Sequence, residues 1–201
     1  MLKITAIKGS PRGNSHSSKL LEETLAECRS RAEEQGVKLD EEILKPFTMN
    51  IEACTGCFSC SETATCIFND DMDYLIDEGR FDQSDIILIS TPIYFNGMPS
   101  HLKKLIDRCQ PIYASKYDLE ESIIRREKER RSLLIACAGA PAYEDQFTAA
   151  QTVSDLFFKT VNADKYEGML VDNTDEIPPE KSEELKQRAR KLGRELIDQF
   201  N

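Results

Sequence analysis

The chain has 201 residues, 40% hydrophobic and 31% charged, which suits one α/β domain with a sizeable core. Its formal net charge of −10 argues against nucleic acid and anionic membranes as partners. The sequence has neither the pattern of a signal peptide nor an apolar run that approaches the length of a membrane span. We therefore expect a cytoplasmic, single-domain protein over residues 1–201, in which an odd count of seven cysteines favours metal or redox chemistry over disulfides.

The first predicted elements are a strand, a polar loop and a helix. Residues 2–8 alternate apolar and polar side chains, as a short strand does. A turn-rich loop follows over residues 9–18, and the helix after it is predicted to run to about Gln35, where Gly36 ends it. A charged second strand is predicted over residues 37–44.

The first loop has the features of an anion site. Its sequence is Gly9-Ser-Pro-Arg-Gly-Asn-Ser-His-Ser-Ser18. The helix that follows offers unpaired N–H groups and a partial positive charge, the serines add hydroxyl donors, and Arg12 adds a charge-assisted contact. Because the loop matches neither G-x-G-x-x-G nor the P-loop lysine motif, we expect it to bind one phosphate group rather than a dinucleotide or a nucleoside triphosphate.

Four of the seven cysteines fall in the predicted loop after the second strand, at about residues 50–69. Cys54, Cys57, Cys60 and Cys66 have the spacing C-x2-C-x2-C-x5-C. A compact C-x2-C-x2-C run is the one with which bacterial ferredoxins wrap a [4Fe–4S] cluster. Structural zinc usually takes two separated cysteine pairs, a pattern that this spacing fits less well. Three interpretations therefore stay open, namely a [4Fe–4S] cluster, a zinc ion, or thiols that bind no metal.

The remaining predicted elements alternate between helices and strands. They are a helix over 70–80, a strand over 85–91, a helix over 100–109, a strand over 132–138, a helix over 146–161, a strand over 166–171 and a helix over 180–200. The densely charged residues 118–131 are predicted to form a solvated helix or a surface insert, with an interface or a lid as the alternative.

This alternation predicts a three-layer α/β fold with a five-stranded parallel sheet and helices on both faces. The spacing suits the flavodoxin-like strand order 2-1-3-4-5, in which ligands bind beyond the carboxyl ends of the strands. Predicted strands precede each of four loops, at residues 9–18, 45–69, 92–100 and 139–145. We therefore expect these four loops to gather at one edge of the sheet.

Two motifs resemble a known family. Gly-Ser-Pro-Arg at residues 9–12, with the polar turn and the Lys-Leu-Leu helix start after it, resembles the phosphate loop of flavodoxin-like FMN reductases. Residues 91–108, Thr-Pro-Ile-Tyr-Phe-Asn-Gly-Met-Pro-Ser-His-Leu-Lys-Lys-Leu-Ile-Asp-Arg, are similar to that family's flavin loop and the helix after it. With the cysteine spacing added, the chain resembles the iron–sulfur flavoproteins of the NADPH-dependent FMN reductase superfamily over roughly residues 1–145.

The resemblance implies an FMN site and an iron–sulfur site. The residues implied at the FMN phosphate are Ser10, Arg12, Asn14, His16, Ser17 and Ser18. Those implied along the isoalloxazine ring are Pro92, Ile93, Tyr94, Phe95, Asn96 and Gly97, and we expect Gly139, after the fourth predicted strand, to complete the pocket. His16 departs from the family, which usually has a small polar residue there. The resemblance also implies a [4Fe–4S] cluster on the four cysteines and a homo-oligomer, a dimer or a tetramer.

The leading functional hypothesis is an FMN-dependent oxidoreductase that passes electrons between the cluster and FMN to a small soluble acceptor. By resemblance, ferredoxin or NAD(P)H is the expected electron donor. No residue stands out as a general acid or base, and electron or hydride transfer requires none. Two alternatives stay open. One is an NAD(P)H-dependent FMN or quinone reductase without a functional cluster, and the other is a redox- or metal-sensing flavodoxin-like binding protein.

Overall fold

The fold is built on one parallel sheet between two layers of helices. The computed structural model describes residues 1–200. The strands are β1 (Leu2–Lys8), β2 (Leu39–Leu44), β3 (Ile86–Pro92), β4 (Arg131–Cys137), β5 (Asp164–Lys165) and β6 (Met169–Val171). Their order is β2-β1-β3-β4-β5, all pairs are parallel, and β6 also pairs with β4. The predicted flavodoxin-like sheet and its strand order are therefore confirmed. The last predicted strand, over residues 166–171, contains β6, and β5 is a further two-residue strand directly before that range.

The helices depart from the predicted ones at residues 60–63, 70–83 and 110–117. They are α1 (His16–Glu34), α2 (Cys60–Thr63), α3 (Met72–Ile76), α4 (Arg80–Gln83), α5 (Ser100–Asp107), α6 (Gln110–Tyr117), α7 (Thr148–Thr160) and α8 (Glu183–Asp198), with a short 3₁₀ helix at Pro179–Lys181. The single helix predicted over residues 70–80 is two short helices, α3 and α4. Residues 118–131 form an irregular surface insert rather than a helix.

Alternation along the strands fills both faces of the sheet. In β3, Ile86 and Leu88 pack into the core layer beneath α1 and α8, whereas Ile87 and Ile89 pack into the layer beneath α5, α6 and α7. All four side chains are fully buried. Burying a side chain of this size contributes about 1.5–3 kcal/mol. The continuous apolar run of β3 is therefore the centre of a three-layer structure, as expected for a parallel strand covered on both faces.

Helices α1 and α8 pack so closely that Gly193 of α8 lies against the α1 backbone. A Cβ atom at residue 193 would overlap the carbonyl oxygen of Thr24 and lie 3.3 Å from the amide nitrogen of Cys28. These are backbone atoms, so a larger residue cannot be accommodated by a change of rotamer. Glycine at this position sets the distance between the two helices.

We expect Gly193→Ala to lower the free energy of unfolding by about 1–3 kcal/mol, because overpacking a close helix contact forces the backbone apart. Urea denaturation measures the effect. In an open helix alanine is about 1 kcal/mol more stabilising than glycine. A loss of stability in Gly193→Ala can therefore be attributed to the steric clash. The control is Lys191→Ala on the exposed face of α8, which should change stability by less than about 0.5 kcal/mol. A Gly193→Ala protein as stable as the unmodified chain would contradict this packing.

Because every strand pair is parallel, the loops that leave β1, β2, β3 and β4 emerge at the same edge of the sheet, as predicted. This edge carries residues 9–15, the cysteine segment over residues 50–69, residues 93–99 and residues 138–147. Within residues 1–200, none of the helices has both the length and the apolar composition needed to cross a lipid bilayer.

Candidate redox site at the carboxyl edge of the sheet

Three serine hydroxyl groups gather where the first loop enters α1. Ser15 precedes the helix with extended backbone, and its Oγ accepts a hydrogen bond of 3.2 Å from the Ser18 amide. Its Oγ also lies 2.6 Å from Ser18 Oγ and 3.3 Å from Ser17 Oγ. Ser17 and Ser18 are buried. The hydroxyls and the first N–H groups of a 19-residue helix therefore converge on one point, which is the donor set of an anion site.

The floor of this loop is fixed by Gly9. Its amide donates a 2.8 Å hydrogen bond to the carbonyl oxygen of Ser90 in β3, and a Cβ atom at residue 9 would lie 2.7 Å from Leu102 Cδ2. Ser10 is fully buried, and its Oγ accepts a 3.2 Å hydrogen bond from the Arg12 amide. Arg12 and Asn14 are exposed on the open side of the loop. The predicted phosphate residues thus lie together, with the serines at the base and the longer side chains at the rim.

His16 is held by a partner that the sequence did not suggest. Its Nδ1 lies 3.1 Å from Glu180 Oε2, and the ammonium group of Lys19 donates to Glu180 Oε1 at 2.6 Å. The hydrogen bond from Lys19, followed by one from the Glu180 backbone amide and one from His16, outweighs burial and lowers the pKa of Glu180 to about 2. A phosphate contact by His16 would therefore have to use Nε2.

The loop after β3 makes a tight turn with an exposed aromatic tip. Tyr94 and Gly97 exchange two backbone hydrogen bonds of 2.9 Å, and between them Phe95 and Asn96 have φ of 48° and 59°. Positive φ at a phenylalanine is strained and is found most often at binding sites. The Phe95 ring is fully exposed, and Tyr94 is partly exposed. Ile93 is tied to β4 because its amide donates to the carbonyl oxygen of Cys137 at 2.8 Å.

A third loop, which follows β4, is joined to this turn. The hydroxyl of Tyr143 donates to Asn96 Oδ1, a contact between two loops that no local pattern predicts. Gly139 packs against Asp175, whose carboxylate a Cβ atom at residue 139 would overlap. Beneath this loop the buried Gln146 Oε1 accepts no hydrogen bond from residues 1–200. A buried amide oxygen of this kind is the type of group that a bound molecule satisfies.

These three loops form a site that fits FMN in its donor set. The first loop supplies hydroxyl and N–H donors for one phosphate group. The turn at residues 94–97 and the loop at residues 139–143 supply backbone groups and aromatic surface beside it. Gly9 bonds to Ser90 in β3 and Ile93 to Cys137 in β4, so each of these two loops is tied to the neighbouring strand. The contact between Tyr143 and Asn96 joins the second and third loops.

The four clustered cysteines line one cavity of about 500 Å³. Left-handed backbone at Gly56, Phe58 and Ala64, with φ of 68°, 61° and 54°, curls the segment around this cavity. Helix α2 is a single turn that begins at Cys60. Residues from the range 107–113 also line the cavity. The curled loop therefore directs four thiols toward a shared space rather than into the core.

The thiols fit a cluster in number. Burial, followed by the charges of Cys66, Cys54 and Cys57, raises the pKa of Cys60, as expected for thiols close to one another. Within residues 1–200, no three His, Cys, Asp or Glu side chains converge on a position for a single metal ion. All four cysteines line one cavity, and four thiolates are the donor set of a [4Fe–4S] cluster.

The other three cysteines are separate from this cavity. Cys28, Cys109 and Cys137 are buried in the core, as the sequence predicted. Burial raises the pKa of the Cys28 and Cys137 thiols to about 12 and raises that of Cys109 as well. These thiols therefore stay protonated and act as small apolar side chains.

Arg108 and Asp70 form a buried ion pair at the cysteine segment. Arg108 Nη1 donates to Asp70 Oδ2 at 2.6 Å, and both side chains are 1% exposed. Asp70 also accepts from the amides of Glu52 and Met72 at 2.8 and 3.0 Å. Burial alone would raise the pKa of Asp70, but the hydrogen bond from Arg108 and those from the two amides outweigh it and lower the pKa. The pair thus joins both ends of the cysteine segment to α5.

Arg108 belongs to the Ile-Asp-Arg motif that carries the resemblance, and the sequence predicts a capping acid at Asp70-Asp71, where regular structure restarts after Cys66. The sequence does not predict that Arg108 and Asp70 pair. Two features of the sequence mark these residues as candidates for a contact. Arg108 ends the helix after the loop at residues 92–97, and Asp70 lies four residues after Cys66. Their pairing across 38 residues required the fold.

We expect Asp70→Asn to lower the free energy of unfolding by about 3–5 kcal/mol at pH 7, because it leaves the buried Arg108 charge unpaired. The carboxylate stabilises the fold fully above its ordinary pKa of about 3.9, and this contribution is lost as the pH falls through the lower folded-state value. The stability difference between the two proteins should therefore shrink toward about pH 3. Urea denaturation at both pH values measures it.

The control for this prediction is Asp71→Asn. Asp71 is exposed, and the asparagine oxygen can still accept the 2.7 Å hydrogen bond from the Asn50 amide. A change below about 0.5 kcal/mol is expected there. If Asp70→Asn loses no more stability than this control at pH 7, the buried ion pair does not contribute the expected free energy of unfolding.

Comparison with known proteins agrees with this architecture. An iron–sulfur flavoprotein of Methanocaldococcus jannaschii is 30% identical over 111 residues, which cover 55% of this chain and 53% of that protein. One of Methanosarcina thermophila is 28% identical over 122 residues, covering 61% and 60%. The chain spans about half the length of these curated relatives.

Among solved structures, an NAD(P)H:quinone oxidoreductase from Methanothermobacter marburgensis superposes with a TM-score of 0.68 at 17% identity, over 97% of this chain and 96% of that one. An azoreductase from Bacillus anthracis superposes with a TM-score of 0.66 at 14% identity, over 100% of both chains. At these identities the likeness shows a shared fold. The model of the flavodoxin-like fold family matches residues 2–196, and the chain therefore belongs to that family.

Proposed function

We propose that this chain is an FMN-dependent oxidoreductase in which Cys54, Cys57, Cys60 and Cys66 hold a [4Fe–4S] cluster. Electrons would pass between the cluster and FMN and on to a small soluble acceptor. The observation that carries the proposal is that four thiols line one cavity, in a loop at the same sheet edge as a phosphate-type loop. When bound, FMN carries one or two electrons and the cluster carries one, so the pair can couple one- and two-electron chemistry.

The FMN phosphate would be held by Ser10, Ser17 and Ser18 at the base of the first loop and by Arg12, Asn14 and His16 at its rim. Burial of the three serines and exposure of Arg12 and Asn14 support this division. The ring would lie along residues 92–97, with Gly139 on the opposite side. The turn at Phe95 and Asn96 supports this placement, because its backbone is strained and its side chains are open to a ligand.

The relatives support the redox assignment. Those of Methanocaldococcus and Methanosarcina are iron–sulfur flavoproteins, and the match to each includes more than half of this chain. Ferredoxin or NAD(P)H is the electron donor that we propose. We also propose a homo-oligomer of two or four chains, because a second chain could bring its FMN to the cysteine cavity of the first.

The deciding experiment is anaerobic purification followed by a visible spectrum and assays for iron, sulfide, zinc and FMN. About four irons, four sulfides and one FMN per chain are expected. Zinc without sulfide would contradict the proposal. FMN without iron, together with turnover of NAD(P)H and a quinone, would instead select a reductase without a functional cluster. Neither cofactor, with binding of a partner that changes with redox state, would select a sensing protein.

A further inference from the structure

We propose that Arg108 is the residue that sets the reduction potential of the cysteine centre, through a buried positive charge beside Cys66. The inference rests on the proposed function, since it concerns the cluster that the four cysteines would hold. It gives Arg108 a role in positioning and tuning, and it adds no catalytic residue.

The first observation is the place of Arg108 in the cavity wall. Arg108 is 1% exposed and lines the same 500 Å³ cavity as the four cysteines. It is the one basic side chain among the described residues of that wall, whereas Asp70, its partner, does not line the cavity. Asp107 and Asp118 also line it, and Lys103 pairs with Asp107 at 2.6 Å. The positive end of the buried ion pair therefore faces the thiols.

The second observation is how firmly the guanidinium is held. Its Nη1 donates to Asp70 at 2.6 Å and to the carbonyl oxygen of Glu52 at 2.8 Å, and its Nη2 donates to Asp70 at 3.2 Å. The ring of Phe68 lies 5.0 Å from the guanidinium carbon. These contacts fix both the charge and the orientation of the group, and the fork of an arginine suits such a bidentate pair.

The third observation is the hydrogen-bonding capacity that these contacts leave unused. The buried Nε of Arg108 has no hydrogen-bond partner among residues 1–200. Arg108 and Cys66 line the same cavity. A buried donor in the wall of a cavity is available to an acceptor that occupies the cavity.

The physical consequence concerns the charge that reduction adds. Uptake of one electron from a one-electron donor makes a thiolate-ligated cluster more negative by one charge, with no proton bound and no bond broken. A fixed cation and an N–H donor beside a ligand sulfur favour the more negative form. Arginine stays protonated throughout, so this stabilisation does not vary with pH in the working range. Arg108 is therefore expected to raise the potential of the cluster.

The test is a reductive titration of the anaerobically purified holoprotein with dithionite, in which the cluster signal is followed by electron paramagnetic resonance and the flavin by absorbance. In the double variant Asp70→Asn/Arg108→Gln the ion pair, whose positive member lines the cavity, is replaced by a neutral pair of amides. We expect its reduction equilibrium to become about tenfold less favourable, which is about 59 mV for one electron. Arg108→Lys keeps the charge but loses the fork, and a smaller decrease of roughly threefold is expected.

Arg130 offers a matched control at the opposite end of β4. It is also 1% exposed, its Nη2 pairs with Asp82 at 2.7 Å, and its Nε has no partner among the described residues. Asp82→Asn/Arg130→Gln and Arg130→Lys therefore repeat the same chemistry far from the thiols. These variants should leave the cluster potential unchanged, and they correct for any general loss of stability.

The outcomes separate this inference from the proposed function. If the unmodified protein holds no iron, the proposed function itself fails. If it holds the cluster and the Arg108 variants keep both iron and potential, the tuning role is overturned. If both Arg108 variants lose iron but retain FMN, the tuning role is also overturned. Arg108 would then serve only to hold the cysteine segment in place. Should the double variant fail to fold, Arg108→Lys decides, because an unchanged potential there contradicts the inference.

Discussion

Cys57→Ser is expected to remove nearly all iron from the purified protein while one FMN per chain stays bound. A serine hydroxyl is a poor ligand for iron compared with a thiolate, and a four-iron cluster that loses one of its four ligands is not retained stably. Cys57 is exposed in a curled loop, so the substitution should cost the fold little. The proposed FMN loops leave β1, β3 and β4, and the cysteine segment leaves β2, so the two cofactors have separate protein ligands.

The measurement is the iron, sulfide and FMN content of protein purified without oxygen, beside Cys28→Ser as the control. Cys28 is buried in α1, and its thiol donates to the carbonyl oxygen of Gly193 at 3.3 Å, a hydrogen bond that a serine hydroxyl can also make. That variant should keep its iron. Unchanged iron content in Cys57→Ser would show that the cysteine segment does not hold the metal, and loss of both iron and FMN would show that the two sites depend on each other.

The sheet could be predicted because its signal is local. Each position of β3 between Ile86 and Thr91 is buried, and a continuous run of β-branched and apolar residues is typical of a strand covered on both faces. The strand order then followed from alternation with helices, and with it the edge where the loops gather. The chemical identity of the two loops at that edge was also readable, since serines at a helix start and closely spaced cysteines are contiguous in sequence.

The charged insert shows where this approach fails. Residues 118–131 have charges at helical spacing, which favours i,i+4 pairs in a helix. In the structure the arginines pair elsewhere, because Arg125 donates to Asp82 at 2.7 Å and Arg130 to the same carboxylate at 2.7 Å. Lys128 pairs with Asp85 at 2.8 Å. These contacts join residues more than 40 positions apart, so the local pattern could not predict them.

The same limit explains the unpredicted parts of the site. The partner of His16 is Glu180, 164 residues away, and the partner of Asn96 is Tyr143, 47 residues away. Arg108 reaches Asp70 across 38 residues. Each contact depends on which loops lie at the same edge of the sheet. It also depends on the direction of each side chain, which the spacing of residues along the sequence does not determine. The sequence therefore predicts which segments share this edge of the sheet but not which side chains orient them.

Ser15→Asp is expected to weaken FMN binding at least a hundredfold while the protein stays folded. Aspartate is as good as serine before a helix, because its carboxylate can accept the hydrogen bond that Ser15 Oγ accepts from the Ser18 amide. A negative charge at this end also stabilises the helix by about 0.3–1 kcal/mol. The same charge, however, occupies the place of the phosphate and repels it, and such a juxtaposition costs several kcal/mol.

Ser15→Asn separates charge from shape, since asparagine caps a helix equally well and carries no charge. We expect it to bind FMN within about tenfold of the unmodified chain. Affinities for FMN and for riboflavin, which lacks the phosphate, are measured for all three proteins by fluorescence quenching. Only FMN should be affected by the aspartate, because the ring contacts at residues 92–97 are unchanged. Equal weakening of both ligands would mean that Ser15→Asp disturbs the ring site, and FMN binding by Ser15→Asp as tight as by Ser15→Asn would mean that the phosphate lies elsewhere.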